Sequence, residues 1–141
     1  MEKNIIEKAI ITLPSSFKKV LKTINGNKLG IVFVVDNKGC LIGSITDGDI
    51  RRAMLEDINL EEDITIKSNT VNREPTSLPF ESDIQEILNC LDQKRVSYAS
   101  HIRCIPLLDS KGKIVDISTR SCLRQFPIFQ PGIGMQELNN V

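Results

Sequence analysis

No stretch of the sequence approaches the roughly 18 consecutive apolar residues that cross a bilayer, so no transmembrane helix is predicted. The N-terminus, MEKNIIEKAI, places charges on both sides of a two-residue apolar patch, unlike a secretory signal. Neither sign of charge is in excess: 18 Lys and Arg face 18 Asp and Glu. That balance argues against a nucleic-acid binder working by counterion release, which needs a basic face. The four cysteines, Cys40, Cys90, Cys104 and Cys122, include no CxxC pair, and His101 is the single histidine. The closely spaced ligand pairs of a zinc site are therefore missing. Without an export signal the thiols are expected to be reduced, in a cytoplasmic protein, each packing as a small apolar side chain.

Sequence signatures of catalysis are lacking too. GxxxxGK(S/T), HExxH and GxSxG do not occur, and Gly132-Ile133-Gly134 lacks the third glycine of a dinucleotide fingerprint. The chain is predicted not to be an enzyme by itself, to hold no metal and to require no cofactor. What is present, 40% hydrophobic and 26% charged residues over 141 positions, fits a globular protein with a real core.

An internal repeat organises the sequence. Residues 28–50, KLGIVFVVDNKGCLIGSITDGDI, match residues 101–123, HIRCIPLLDSKGKIVDISTRSCL, without a gap. Asp36 meets Asp109, 73 residues on, and Lys38, Gly39 and Thr46 meet Lys111, Gly112 and Thr119. In each copy a continuous apolar run (Ile31 to Val35; Cys104 to Leu108) suits a strand buried on both faces. Asp-Asn-Lys-Gly and Asp-Ser-Lys-Gly then read as hairpin turns, with returning strands at Leu41–Ile45 and Ile114–Ser118. A helix follows, clearest from Asp49 to Leu55.

Helical spacing also precedes each hairpin. Phe17, Val20, Leu21 and Ile24 recur at i, i+3, i+4 and i+7, capped by Ser15 or Ser16. Ile84, Ile87, Leu88 and Leu91 repeat the spacing, with Ser82 and Gln85 as a capping box. Short strands are expected at Ile10–Leu13 and Thr76–Phe80. The predicted fold class is α+β in layers: two β-α-β-β-α repeats, residues 5–72 and 73–125, joined by a turn-rich connection around Glu56–Phe80. The second copy carries extra residues around Arg95–Ser100.

A tandem β-α-β-β-α unit resembles a pair of CBS domains, the Bateman module. The stretch Leu41-Ile42-Gly43-Ser44-Ile45-Thr46-Asp47-Gly48-Asp49-Ile50-Arg51-Arg52 is similar to that family's motif, Gly-h-h-Thr/Ser-x-x-Asp with h apolar, Ser44 replacing one apolar residue. The first copy matches closely; the second is degenerate. Thr-Asp-Gly-Asp-Ile-Arg-Arg resembles the CBS pairs attached to sugar-nucleotide and sugar-phosphate enzymes, among them nucleotidyltransferases and arabinose-phosphate isomerases.

The resemblance implies a pseudo-twofold module with two clefts that bind adenosine nucleotides such as AMP, ADP or ATP as regulatory ligands. In the first cleft Asp49 would accept the ribose hydroxyls and Thr46 would contact phosphate, facing Thr76, Arg103, Cys104 and Ile105. Arg51 would add charge near the phosphates. A second, weaker cleft would use Thr119, with Thr12, Gly30, Ile31 and Val32 opposite. Cys122 stands where that cleft should have its Asp, and a thiol cannot replace the carboxylate. The resemblance also implies a homodimer, and Ile50, Met54, Leu88 and Leu91 are the apolar helix positions expected to serve it.

Two readings of Thr46-x-x-Asp49 stay open, because the same spacing is a capping box independent of any ligand. The alternative function is accordingly a structural dimerisation module with a vestigial site. Residues 126–141 read as a linker or the start of a following domain. They resemble the opening of PLP-dependent sugar aminotransferases of the DegT/DnrJ/EryC1 type, so an attached aminotransferase or nucleotidyltransferase is the expected enzyme partner.

Overall fold

The computed structural model describes residues 3–95 and 104–119. The first repeat runs α1 (Lys3–Lys8), β1 (Ile10–Ile11), β2 (Ser15–Ser16), α2 (Phe17–Asn27), β3 (Ile31–Val35), β4 (Leu41–Thr46) and α3 (Asp47–Met54). A connection containing β5 (Asp63–Ile64) leads to the second, with β6 (Leu78–Pro79), α4 (Ile84–Arg95), β7 (Cys104–Leu108) and β8 (Ile114–Thr119). Each repeat forms a three-stranded sheet, β1-β3-β4 and β6-β7-β8, in which a short parallel strand flanks an antiparallel hairpin. The helix expected after β8 lies outside the described residues, as do residues 126–141.

The hairpins repeat in register. Val35 opposes Leu41 and Leu108 opposes Ile114, and an irregularity falls at Val34/Val35 and again at Leu107/Leu108. One local device closes both. Asp36 Oδ1 accepts from Lys38 N at 2.8 Å and Cys40 N at 3.0 Å, and Asp109 Oδ1 accepts from Lys111 N and Lys113 N at the same distances. The chain then needs a positive φ, and Gly39 (86°) and Gly112 (85°) supply it at no steric cost.

Register places Ile11 opposite Val34 and Leu78 opposite Leu107. The flanking strands are thus 67 residues apart against 73 for the hairpins, and the second repeat holds six extra residues between its flanking strand and its hairpin. The expected insertion at Arg95–Ser100 has that length. Beyond Arg95 it lies outside the described residues.

Helix α2 starts as the sequence predicts, with Ser16 as N-cap accepting from Lys19 N at 3.1 Å, and it buries Phe17, Val20 and Ile24. Helix α4 corrects the expected Ser82–Gln85 box. Asp83 Oδ1 accepts from Glu86 N at 2.8 Å, one residue later, while the Ser82 hydroxyl is buried without a hydrogen-bond partner. The helix begins at Ile84, so Asp83 occupies the cap, and a carboxylate accepts an amide more strongly than a hydroxyl does.

The connection is also more than a run of turns. Ile64 and Val71 are buried in the first core, and Ile58, Leu60 and Ile66 pack against it. Strand β5 pairs antiparallel with β2, and Ser44 exchanges backbone hydrogen bonds with Asn72 at 2.9 Å. These apolar residues follow no helical or strand period, so the sequence pattern gave no sign of them.

Three apolar clusters result. One lies between α2, α3 and the first sheet. A smaller one holds Ile87, Leu91, Ile105 and Leu107 beneath α4. The third joins the repeats: Ala9 and Phe33 of the first meet Cys104 and Ile117 of the second. The hairpin turns also touch, Leu41 N donating to Gly112 O at 3.0 Å and Cys40 Sγ to Lys111 O at 3.3 Å.

Gly43 is where the connection crosses β4 most closely. A Cβ there would lie 2.8 Å from Val71 Cγ1 and 3.2 Å from Asn72 O. Gly43→Ala should destabilise the protein by about 1–3 kcal/mol through overpacking; urea denaturation measures it, and an unchanged midpoint would show that the connection is not held there. The turn carboxylates generate a pH prediction. Backbone hydrogen bonds, chiefly from Cys40 for Asp36 and from Lys113 for Asp109, hold both carboxyls below the ordinary value of 3.8. A depressed native pKa contributes stability that is present above the unfolded value and lost as pH falls through the native one. Wild type should therefore lose its advantage over Asp36→Asn only below about pH 4, a window read by chemical denaturation at stepped pH.

Candidate functional site

The junction of β4 and α3 carries the motif residues. Thr46 is extended (φ −98°, ψ 164°) and acts as N-cap. Its Oγ1 accepts from Asp49 N at 3.1 Å, and Asp49 Oδ2 accepts from Thr46 N at 2.9 Å, so the capping box is complete. Ile50 and Ala53, buried one turn on, lock the helix against the sheet. Asp47 N donates to Gly30 O at 3.0 Å, fixing the start of β3 beside the helix entry. The result is a rigid helix N-terminus with its partial positive charge and the Asp49 carboxylate at one point.

Two arginines follow. Arg52 pairs with Asp49 Oδ1, and Arg51 pairs with Asp47 Oδ2 at 2.8 Å. Arg51, expected near phosphates, is thus engaged with its own helix, in an exposed pair worth roughly 0–1 kcal/mol that a stronger anion can displace. The Arg52 contact follows from its i, i+3 spacing from Asp49 on the helix. A carboxylate has about four acceptor positions. Two at Asp49 are used, and its side chain is 21% exposed, so room for further donors remains.

The other expected residues divide by register. Ile31 lies opposite Thr46 and Cys104 opposite Thr119, at corresponding ends of the two hairpins. Ile31 and Cys104 belong to the shared inter-sheet cluster, which brings those ends together. Thr76, half-buried, precedes β6 and lies toward the Cys104 end because β6 runs parallel to β7. Thr12 is differently placed. It follows β1, which runs parallel to β3, so it sits level with Val35 near the turn, at the opposite end from Gly30 and Ile31. The residue equivalent to Thr76 is Ala9, buried between the sheets. Val32 and Ile105 are fully buried on the faces turned to α2 and α4, so what they can offer a ligand is backbone. Arg103, His101 and Cys122 lie outside the described residues.

Burial pushes the Cys104 thiol up to about 12, so it stays neutral and packs as an apolar group. Ile50 and Leu91, expected to serve a dimer, are core residues, whereas Met54 and Leu55 at the end of α3 are exposed. Among the described residues no group of His, Cys, Asp or Glu is arranged to hold a metal ion, and no helix is long and apolar enough to cross a membrane.

Residues 3–56 match the CBS domain family model. Arabinose 5-phosphate isomerase KpsF of Escherichia coli is 38% identical over 87 residues, covering 62% of this chain and 26% of the isomerase. The chain spans about a quarter of the length of the curated isomerases it matches. Among solved structures, a CBS domain pair in complex with 5′-methylthioadenosine and S-adenosyl-L-methionine superposes with a TM-score of 0.62 at 21% identity, over 91% of this chain and 98% of that one. CBSX2 in complex with AMP gives 0.63 at 16% identity, over 82% and 84%. Residues 3–56 are thus similar to the CBS domain family, and the described residues have the fold of a CBS-domain pair.

Proposed function

We propose that this chain is a regulatory module that binds an adenosine nucleotide at the Thr46–Asp49 end of its first hairpin and controls or assembles an attached enzyme of sugar-phosphate or sugar-nucleotide metabolism. The observation that carries this reading is the reciprocal Thr46–Asp49 pair at a helix N-terminus, with acceptor capacity to spare on Asp49. Helix N–H groups suit phosphate oxygens, and an acceptor-only carboxylate suits a pair of ribose hydroxyls. Thr76, Cys104 and Ile105 would form the opposite wall with Arg103, the two isoleucine-bearing strands offering backbone and Arg51 turning from Asp47 to the phosphates. Solved relatives in complex with AMP or with S-adenosyl-L-methionine support the ligand class, and the isomerase relatives support the enzyme class. A second cleft at Thr119, Gly30 and Ile31 would be weaker, since Cys122 replaces its carboxylate. The repeats divide at 72/73 in this scheme.

Asp49→Ala should weaken AMP binding tenfold to a hundredfold in calorimetry, as expected for roughly 1.5–3 kcal/mol of charge-assisted hydrogen bonds. Because the substitution also removes half of the capping box, melting without ligand must be recorded alongside. A folded variant with unchanged affinity would overturn the assignment.

One observation favours a second reading, a dimerisation module with a vestigial site. Arg52 already satisfies Asp49 Oδ1, and Met54 and Leu55 present apolar surface at the end of the same helix. In that case Met54→Lys should convert a sedimenting dimer to monomer while nucleotides leave the melting temperature unmoved. A wild-type protein that sediments as a monomer at high micromolar concentration removes this reading.

A further inference from the structure

An open cleft lies away from the Thr46–Asp49 site. It occupies about 590 Å³ between α1, β1 and α2, within the range of small-molecule sites. Its floor is apolar, from Ile10 and Val35, and its rim carries Lys8 at the end of α1 and Lys19 and Lys22 one turn apart on α2. None of these three ammonium groups forms an ion pair among the described residues, and Glu7 is the single carboxylate on the lining. A chain with no net charge therefore concentrates an excess of two positive charges around one concavity.

The sheet adds a donor. Ala9 O accepts from Phe33 N at 2.8 Å. In a parallel ladder, alternate residues turn both backbone groups to the same side, so Ile10 directs its N–H to the open edge of the sheet, along the cleft. Thr12, two residues on, also lines the cleft and carries a hydroxyl. The neighbouring smaller cleft, across Thr12 and Val35, is lined by Asp36 instead, which confines an anion to the lysine side.

We infer that this cleft is a second ligand site, distinct from the inter-repeat site, for a small anion bearing two or more phosphate charges. The lysines would neutralise the phosphates while Ile10 N–H and Thr12 fix their position against the apolar floor. A ligand there bridges α1 and β1 to α2 and would couple the N-terminal segment to the first repeat. The inference does not depend on nucleotide binding at Asp49.

Tripolyphosphate, which has no ribose, is the probe. Titrated into the whole chain, it should shift the amide resonances of Ile10, Thr12, Lys19 and Lys22. The double variant Lys19→Gln/Lys22→Gln, both exposed positions, should weaken calorimetric affinity at least tenfold, whereas Asp49→Ala should leave it unchanged. Raising the salt should weaken binding by screening. Shifts confined to residues 46–52, an affinity insensitive to the lysine changes, or no shift at millimolar probe would each overturn the proposal.

Discussion

Each hairpin in this protein is apolar on both faces, and that constraint governs the rest of the structure. One face of β3 and β4 is covered by α2 and α3. The other face, carrying Phe33, packs against Cys104 and Ile117 of the second sheet, with Ile6 of α1 alongside. Exposing a buried Phe or Ile costs about 1.5–3 kcal/mol, so a single repeat would leave a substantial patch in water. In the second repeat Ser118 is fully buried with its hydroxyl unpartnered, at the position where the first repeat has Ile45.

The same pairing positions the candidate site. Burying Phe33 and Cys104 in one cluster aligns the open ends of the two hairpins, and the β4–α3 junction sits at one of those ends. The connection supports this from behind, with Val71 pressed against Gly43 and Asn72 bonded to Ser44, two residues before the Thr46 cap. A ligand at Asp49 would thus meet a frame already fixed by core packing. The exposed side chains there are Arg51 and Arg52, each paired with a carboxylate of its own helix.

The capping box is built from the same atoms that the proposed ligand site would use. Thr46 and Asp49 satisfy orphan amides at the start of α3 whether or not anything binds. This explains why the motif can survive in a repeat for structural reasons alone, and why its partner in the second repeat can degenerate to Cys122 without the hairpin changing register.

The sequence by itself determined the elements whose cause is local or periodic. The hairpins follow from Asp36 and Asp109 with their glycines, α2 from its i, i+3, i+4 spacing and Ser16, and the start of α3 from Thr46-x-x-Asp49. Their repetition identified the two-repeat plan. Only the tertiary structure decided what depends on residues distant in the chain. It showed that Thr12 lies at the turn end of its sheet and that Val32 and Ile105 spend their side chains in the helix-side cores. It drew the aperiodic Ile58, Leu60, Ile64, Ile66 and Val71 into the first core, and it gathered Lys8, Lys19 and Lys22 around one cleft. Local hydrogen bonds and helical spacing leave their mark in neighbouring letters, whereas burial and the meeting of charges across a cleft are properties of the packed chain.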